Sequence, residues 1–110
     1  MKKMMLAALS LSLLSLGARA EVDKKTERTW KAKCASCHGA DGKAETDTGK
    51  KAGIPSYADA AFQKSKTDAQ LKEAIANGVK TDKGEMDGFK DKLDGPAIDS
   101  LVAYIRSLAK

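Results

Sequence analysis

Cys34-Ala35-Ser36-Cys37-His38 is the segment that most constrains this chain. It holds both cysteines and the single histidine of the 110 residues, and Gly39 follows at once. Side chains gathered so closely can serve one centre, and any fold has to be built around it. A thiol–disulfide exchange site uses such a cysteine pair, but it is set in a strand–helix–strand unit that this sequence lacks, and it gives His38 no task. A structural zinc site takes all three side chains and needs a fourth, for which no other Cys or His exists. An ordinary disulfide leaves the histidine unexplained. Attachment of a c-type haem uses every member: two thiols add to vinyl groups, and the adjacent imidazole meets the iron. The five-residue pattern favours this last reading, with exchange and zinc as the alternatives.

The composition agrees. Large aromatic side chains are limited to Trp30, Tyr57, Phe62, Phe89 and Tyr104. A small domain so poor in bulk needs something else at its centre.

Residues 1–20 read as a cleaved secretory signal peptide. Lys2 and Lys3 precede an apolar run from Met4 to Gly17, and Ala18-Arg19-Ala20 is a signal-peptidase pattern. The run is shorter than the roughly 20 apolar residues that span a bilayer. Residues 21–110 are then one exported, periplasmic domain. The whole chain carries 20 Lys+Arg against 15 Asp+Glu, or +5. Lys2, Lys3 and Arg19 leave with the leader and no acid does, which leaves 17 against 15, or +2. The apparent basicity belongs mostly to targeting and argues against nucleic acid as a partner.

Helical periodicity marks three segments. The first runs from about Asp23 to Ala35, with Val22, Thr26, Trp30 and Cys34 four apart and Asp23 as N-cap. The second starts at Thr67, where Thr67 and Gln70 fit a capping box, and ends before Gly78. The third begins at Pro96, with an apolar stripe of Ile98, Leu101, Val102, Ile105 and Leu108. A long Gly-, Ala-, Asp- and Lys-rich loop, with one helical turn near 58–64, separates the first two. No alternating strand pattern of useful length occurs, so the expected class is all-α. Loops of this length are uncommon in a small domain unless they wrap a ligand.

The chain resembles the small class I c-type cytochromes over residues 24–110. "CASCHGADGK" is similar to that family's attachment segment, "TDAQLKEAIANGVK" to its middle helix and "LVAYIRSL" to its last. The resemblance implies three main helices and long loops around one haem bound through Cys34 and Cys37. It also implies a crossing of the first and last helices packed by Trp30, Leu101 and Tyr104, where Thr26 replaces the usual glycine. Met86, the only methionine of the expected mature chain, lies in a polar loop between Gly84 and Gly88, an unusual place for a core methionine. The resemblance assigns it as the second iron ligand opposite His38, followed by an aromatic, here Phe89. Glu85 and Asp87 stand where the family has a proline beside this methionine. The carbonyl of Pro55 is the implied acceptor for His38 Nδ1, and Tyr57 or backbone amides are the candidates for the haem propionates.

The resulting expectation is a monomeric periplasmic electron carrier rather than an enzyme. Its donor would be a quinol-oxidising complex or a dehydrogenase, and its acceptor an oxidase or reductase. A haem peroxidase or gas sensor would require an open iron position and a second acid–base group.

Overall fold

The computed structural model describes residues 23–110; the expected leader and its cleavage point lie outside these residues. The chain is mostly helical. Helix α1 (Lys24–Thr29) starts where Asp23 accepts a hydrogen bond from Thr26 N at 2.8 Å. It continues without a break through a π-helical turn (Trp30–Cys34) into α2 (Ala35–His38), with the Ala35 N–H reaching back to Trp30 O. A π turn inserts one residue into the helical count, so Cys37 and His38 are rotated from the positions an uninterrupted α-helix would give them. Gly39 stops α2 at φ +87°, a value open to glycine.

The long loop contains two helices where one helical turn was expected. Helix α3 (Asp47–Ala52) has little apolar pattern, and one side chain fixes it. Thr46 Oγ1 accepts from Gly49 N at 2.8 Å and donates to Cys37 O at 2.7 Å, capping α3 and tying it to the cysteine segment. A Cβ on Gly49 would lie 2.5 Å from Ala44 O and 2.8 Å from Cys37 O, so the approach needs glycine. Helix α4 (Ala60–Ser65) is capped by Asp59 and corresponds to the expected turn.

Helix α5 (Asp68–Asn77) opens with the anticipated capping box, Thr67 N to Gln70 Oε1 at 2.9 Å and Gln70 N to Thr67 Oγ1 at 3.1 Å. A two-stranded antiparallel hairpin follows, β1 (Val79–Thr81) and β2 (Gly84–Met86), with Val79 opposite Met86. This hairpin is a small addition to the helical fold that was expected: three-residue strands are too short to show alternation, and the hairpin depends on packing rather than on its own pattern. Its β2 strand rests on α3, where Gly84 faces Ala52. Helix α6 (Gly95–Ser107) is capped by Asp94, with Pro96 in its first turn.

Helix α6 packs on α1 and on α5. Its buried face, Ile98, Leu101, Val102, Tyr104 and Ile105, meets Trp30, Leu71 and Ile75 in one core. Trp30 and Leu101 are the most deeply buried large side chains, and the indole Nε1 donates to Gly39 O at 3.0 Å. Trp30, Leu101 and Tyr104 thus share the core assigned to them. Among the described residues no helix is long and apolar enough to cross a membrane.

Candidate functional site

A cavity of about 550 Å³ opens beside this core, and Cys34, Cys37, His38 and Met86 all line it. The first three come from the π turn and α2, and Met86 from the end of β2. Between them the wall is apolar, with Ile54, Leu71, Ile75, Phe89, Leu101 and Ile105 among its side chains. Val79, also on the wall, is 42% exposed, the one large apolar side chain left so open among the described residues. An apolar cavity of this size with a few convergent polar groups is what a large organic cofactor occupies.

The chemistry of the four side chains decides which cofactor fits. Burial pushes the Cys34 thiol up to about 11, with Lys33 opposing and Cys37 adding to the shift. A raised thiol pKa is the opposite of what activates an exchange nucleophile, so Cys34 is not suited to that role. No three Cys, His, Asp or Glu side chains among the described residues converge as a metal site, which removes the zinc reading. Burial also lowers the His38 pKa, favouring the neutral imidazole that can bind a metal. Two neighbouring cysteines, a neutral imidazole and a thioether on an apolar wall suit a haem joined by thioether bonds, and the residues present fit that group.

His38 departs from expectation in one respect. Its Nδ1 is buried and has no hydrogen-bond partner, so the Pro55 carbonyl does not accept from it, although Pro55 also lines the cavity. The ring is instead flanked by aromatics. Tyr57 lies against it with centroids 5.2 Å apart and planes 18° apart, and Trp30 at 5.8 Å and 43°. Burial raises the Tyr57 hydroxyl to about 12, so this phenol stays neutral.

Lys51, Lys66 and Lys83 line the cavity together with Thr48 and Thr81, against the single acid Glu85. Sequence reasoning did not single out these three lysines for the site. Lysines are frequent here, and only the fold of α3 and the hairpin brings these to one opening. Phe89, the aromatic that follows Met86, also lines the cavity.

The cavity, its two cysteines and its histidine suit a haem of the c type, and comparison with known proteins points the same way. Residues 21–105 match the family model described as "Cytochrome C oxidase, cbb3-type, subunit III". The chain belongs to this family of small c-type cytochrome domains. Among solved structures it is similar to the KustC0563 c-type cytochrome, with TM-score 0.68 and 32% identity, covering 77% of this chain and 98% of that one. A point mutant of Kustc0563 gives TM-score 0.66 and 32% identity over 76% of this chain and 96% of that chain. A search of curated proteins finds no match. The family's covalently held haem c and its work in electron transfer apply to this chain at that level.

Proposed function

We propose that this protein is an exported one-electron carrier holding a single haem c, attached through Cys34 and Cys37 and ligated by His38 and Met86. The observation that carries the reading is that these four side chains, distant in sequence order but for the first three, line one apolar cavity. In attachment each S–H adds across a vinyl double bond, sulfur to one carbon and hydrogen to the other. The iron supplies the reversible one-electron couple; the protein supplies binding, orientation and electrostatics.

Each residue has a defined task. His38, kept neutral by burial, offers a nitrogen lone pair. Met86 offers a soft neutral sulfur that favours the reduced state, and a second protein ligand leaves little room for oxygen or peroxide. The apolar wall keeps water from the centre. Lys51, Lys66 and Lys83, with Thr48 and Thr81, provide the cationic and hydroxyl groups suited to the cofactor's two carboxylates. The carrier reading places the protein in the periplasm as a monomer after cleavage following Ala20. It would take electrons from a quinol-oxidising complex or a dehydrogenase and pass them to an oxidase or reductase.

A denaturing gel stained for haem tests the reading. Wild-type protein from a host competent for cytochrome c maturation should retain the stain. The Cys34→Ala, Cys37→Ala double variant should lose it and be largely unfolded, since the cofactor supplies much of the core. Unstained wild type, or a haem-free double variant with native helicity, would overturn the proposal.

A further inference from the structure

Two successive carbonyls at the end of α2 are tied to the segment that leads into α3. His38 O accepts from Ala44 N at 2.8 Å, and Cys37 O accepts from Thr46 Oγ1 at 2.7 Å. The last turn of a helix leaves its carbonyls without partners inside the helix, and here the following loop supplies them. Ala44 makes its bond from a left-handed backbone, at φ +57°, and is buried. A residue other than glycine is held there at a cost, and only where its surroundings fix it. Thr46 completes the tie: its Oγ1 also accepts from Gly49 N at 2.8 Å, so one hydroxyl joins the cysteine segment to the first turn of α3.

Helix α3 carries the link along the cavity, which Thr48, Lys51 and Ala52 line. Its last residue, Ala52, meets the hairpin: a Cβ on Gly84 would lie 2.9 Å from Ala52 Cβ. The Lys83 stem lies over Gly53, with its Cδ 3.6 Å from the Cβ position there. Gly84 and Met86 are two apart on β2 and share a face of the strand. A continuous route therefore runs from Cys37 O through Thr46, α3 and Gly84 to Met86. It joins the His38 side of the cavity to the Met86 side.

We propose that Thr46 is a positioning residue: through α3 it sets the distance between the His38 helix and the Met86 strand, and so how firmly Met86 stays on the iron. This rests on the reading of His38 and Met86 as the two iron ligands. Moving β2 away from α2 requires breaking the Thr46 bond to Cys37 O or parting Gly84 from Ala52. Loss of the hydroxyl makes that opening easier. A hydrogen bond of ordinary strength, made only in the closed arrangement, corresponds to about a fivefold change in the open population.

The experiment uses purified full-length holoprotein, oxidised, with added imidazole as the probe. Imidazole reaches the iron only when the sulfur lets go, so its binding rate, followed in the visible spectrum by stopped flow, reports the open population. Thr46→Val keeps the branched shape without the hydroxyl. It should bind imidazole about fivefold faster and show a weaker iron–sulfur charge-transfer absorption. Thr46→Ser keeps the hydroxyl and should match wild type. Gly84→Ala pushes β2 off Ala52 and should act in the same direction as Thr46→Val; adding Ala52→Gly to it makes room again and should reverse the gain. Asp23→Ala removes the cap of α1, outside the route, and should lower the melting temperature with no change in imidazole binding. A wild-type rate in Thr46→Val overturns the inference, as does an equal gain in Thr46→Ser or Asp23→Ala. Should Thr46→Val fail to fold, a wild-type rate in Gly84→Ala, or a gain that Ala52→Gly does not reverse, overturns it. Wild type that binds imidazole as fast as Met86→Ala overturns the ligand assignment and this inference together; a protected wild type with unmoved variants overturns this inference alone.

Discussion

The phenol of Tyr104 is stacked on the indole of Trp30, with ring centroids 5.0 Å apart and planes 27° apart. This pair joins the last helix to the π turn, one turn ahead of the first cysteine. Trp30 is 2% exposed, and its Nε1–H is bonded to Gly39 O at the end of α2. Truncation to alanine removes the stack, the core volume and the link to Gly39 together. Trp30→Ala should cost about 3–5 kcal/mol. Trp30→Phe keeps a ring against Tyr104 but leaves the Gly39 carbonyl without its donor, at about 1–3 kcal/mol. Denaturant titration of the three proteins checks both figures and their order.

Gly78 governs the approach of the hairpin to the site. Its φ of +88° and ψ of 174° are a backbone conformation essentially confined to glycine. A Cβ there would lie 2.5 Å from Met86 O and 2.9 Å from Gly88 N, both backbone atoms that cannot swing aside. Gly78→Ala should therefore displace the Met86 strand as well as add roughly 1–3 kcal/mol of strain. The expected result is a lowered melting temperature together with a weakened iron–sulfur charge-transfer absorption of the oxidised protein. Gly95, which has nothing within 4 Å of the Cβ position, is the control: Gly95→Ala should leave the absorption unchanged.

How legible the molecule was in its sequence depended on how local each cause is. The Cys34–His38 segment was readable because attachment needs contiguous residues, and the caps at Asp23 and Thr67 because a cap is made within three positions. Helix α3 was not readable, since its start depends on Thr46 reaching Cys37 O, nine residues away. The π turn was hidden because Thr26, Trp30 and Cys34 already fit a four-residue spacing. The hairpin offered too few residues for any period. Lys51 and Lys83 sit in unremarkable charged stretches, and only the packing of β2 on α3 brings them to one opening.

Met86 tests the ligand assignment directly. It is half-buried at the end of β2 and lines the same cavity as His38. Met86→Ala should leave an open coordination position, lower the reduction potential and let the reduced protein bind carbon monoxide readily. Wild type should bind it poorly. Carbon monoxide titration followed in the visible spectrum distinguishes the two, and equal binding would remove Met86 from the ligand set.

Docking with redox partners should depend little on long-range charge. The loop around Met86 alternates Lys80, Lys83, Lys90 and Lys92 with Asp82, Glu85, Asp87 and Asp91, and those charges cancel. The cavity lining is less balanced, with Lys51, Lys66 and Lys83 against Glu85 alone. That leaves +2, which the two carboxylates of a haem would neutralise. The chain after Ala20 carries +2 as a whole, so the complete holoprotein would also stand near zero. Charges on the surface are screened beyond ~8 Å at physiological salt, and steering requires a net field that reaches further. Association would then rest on contact at the apolar rim, where Phe89 lies under the Lys92 ammonium with 5.9 Å between nitrogen and ring centroid. The expected outcome is a second-order electron-transfer rate that changes only weakly as salt is raised from low to physiological strength. Stopped-flow measurement with the protein's own partner checks it. A fall of about tenfold or more would show that the lysines act as a one-sided patch and steer the encounter.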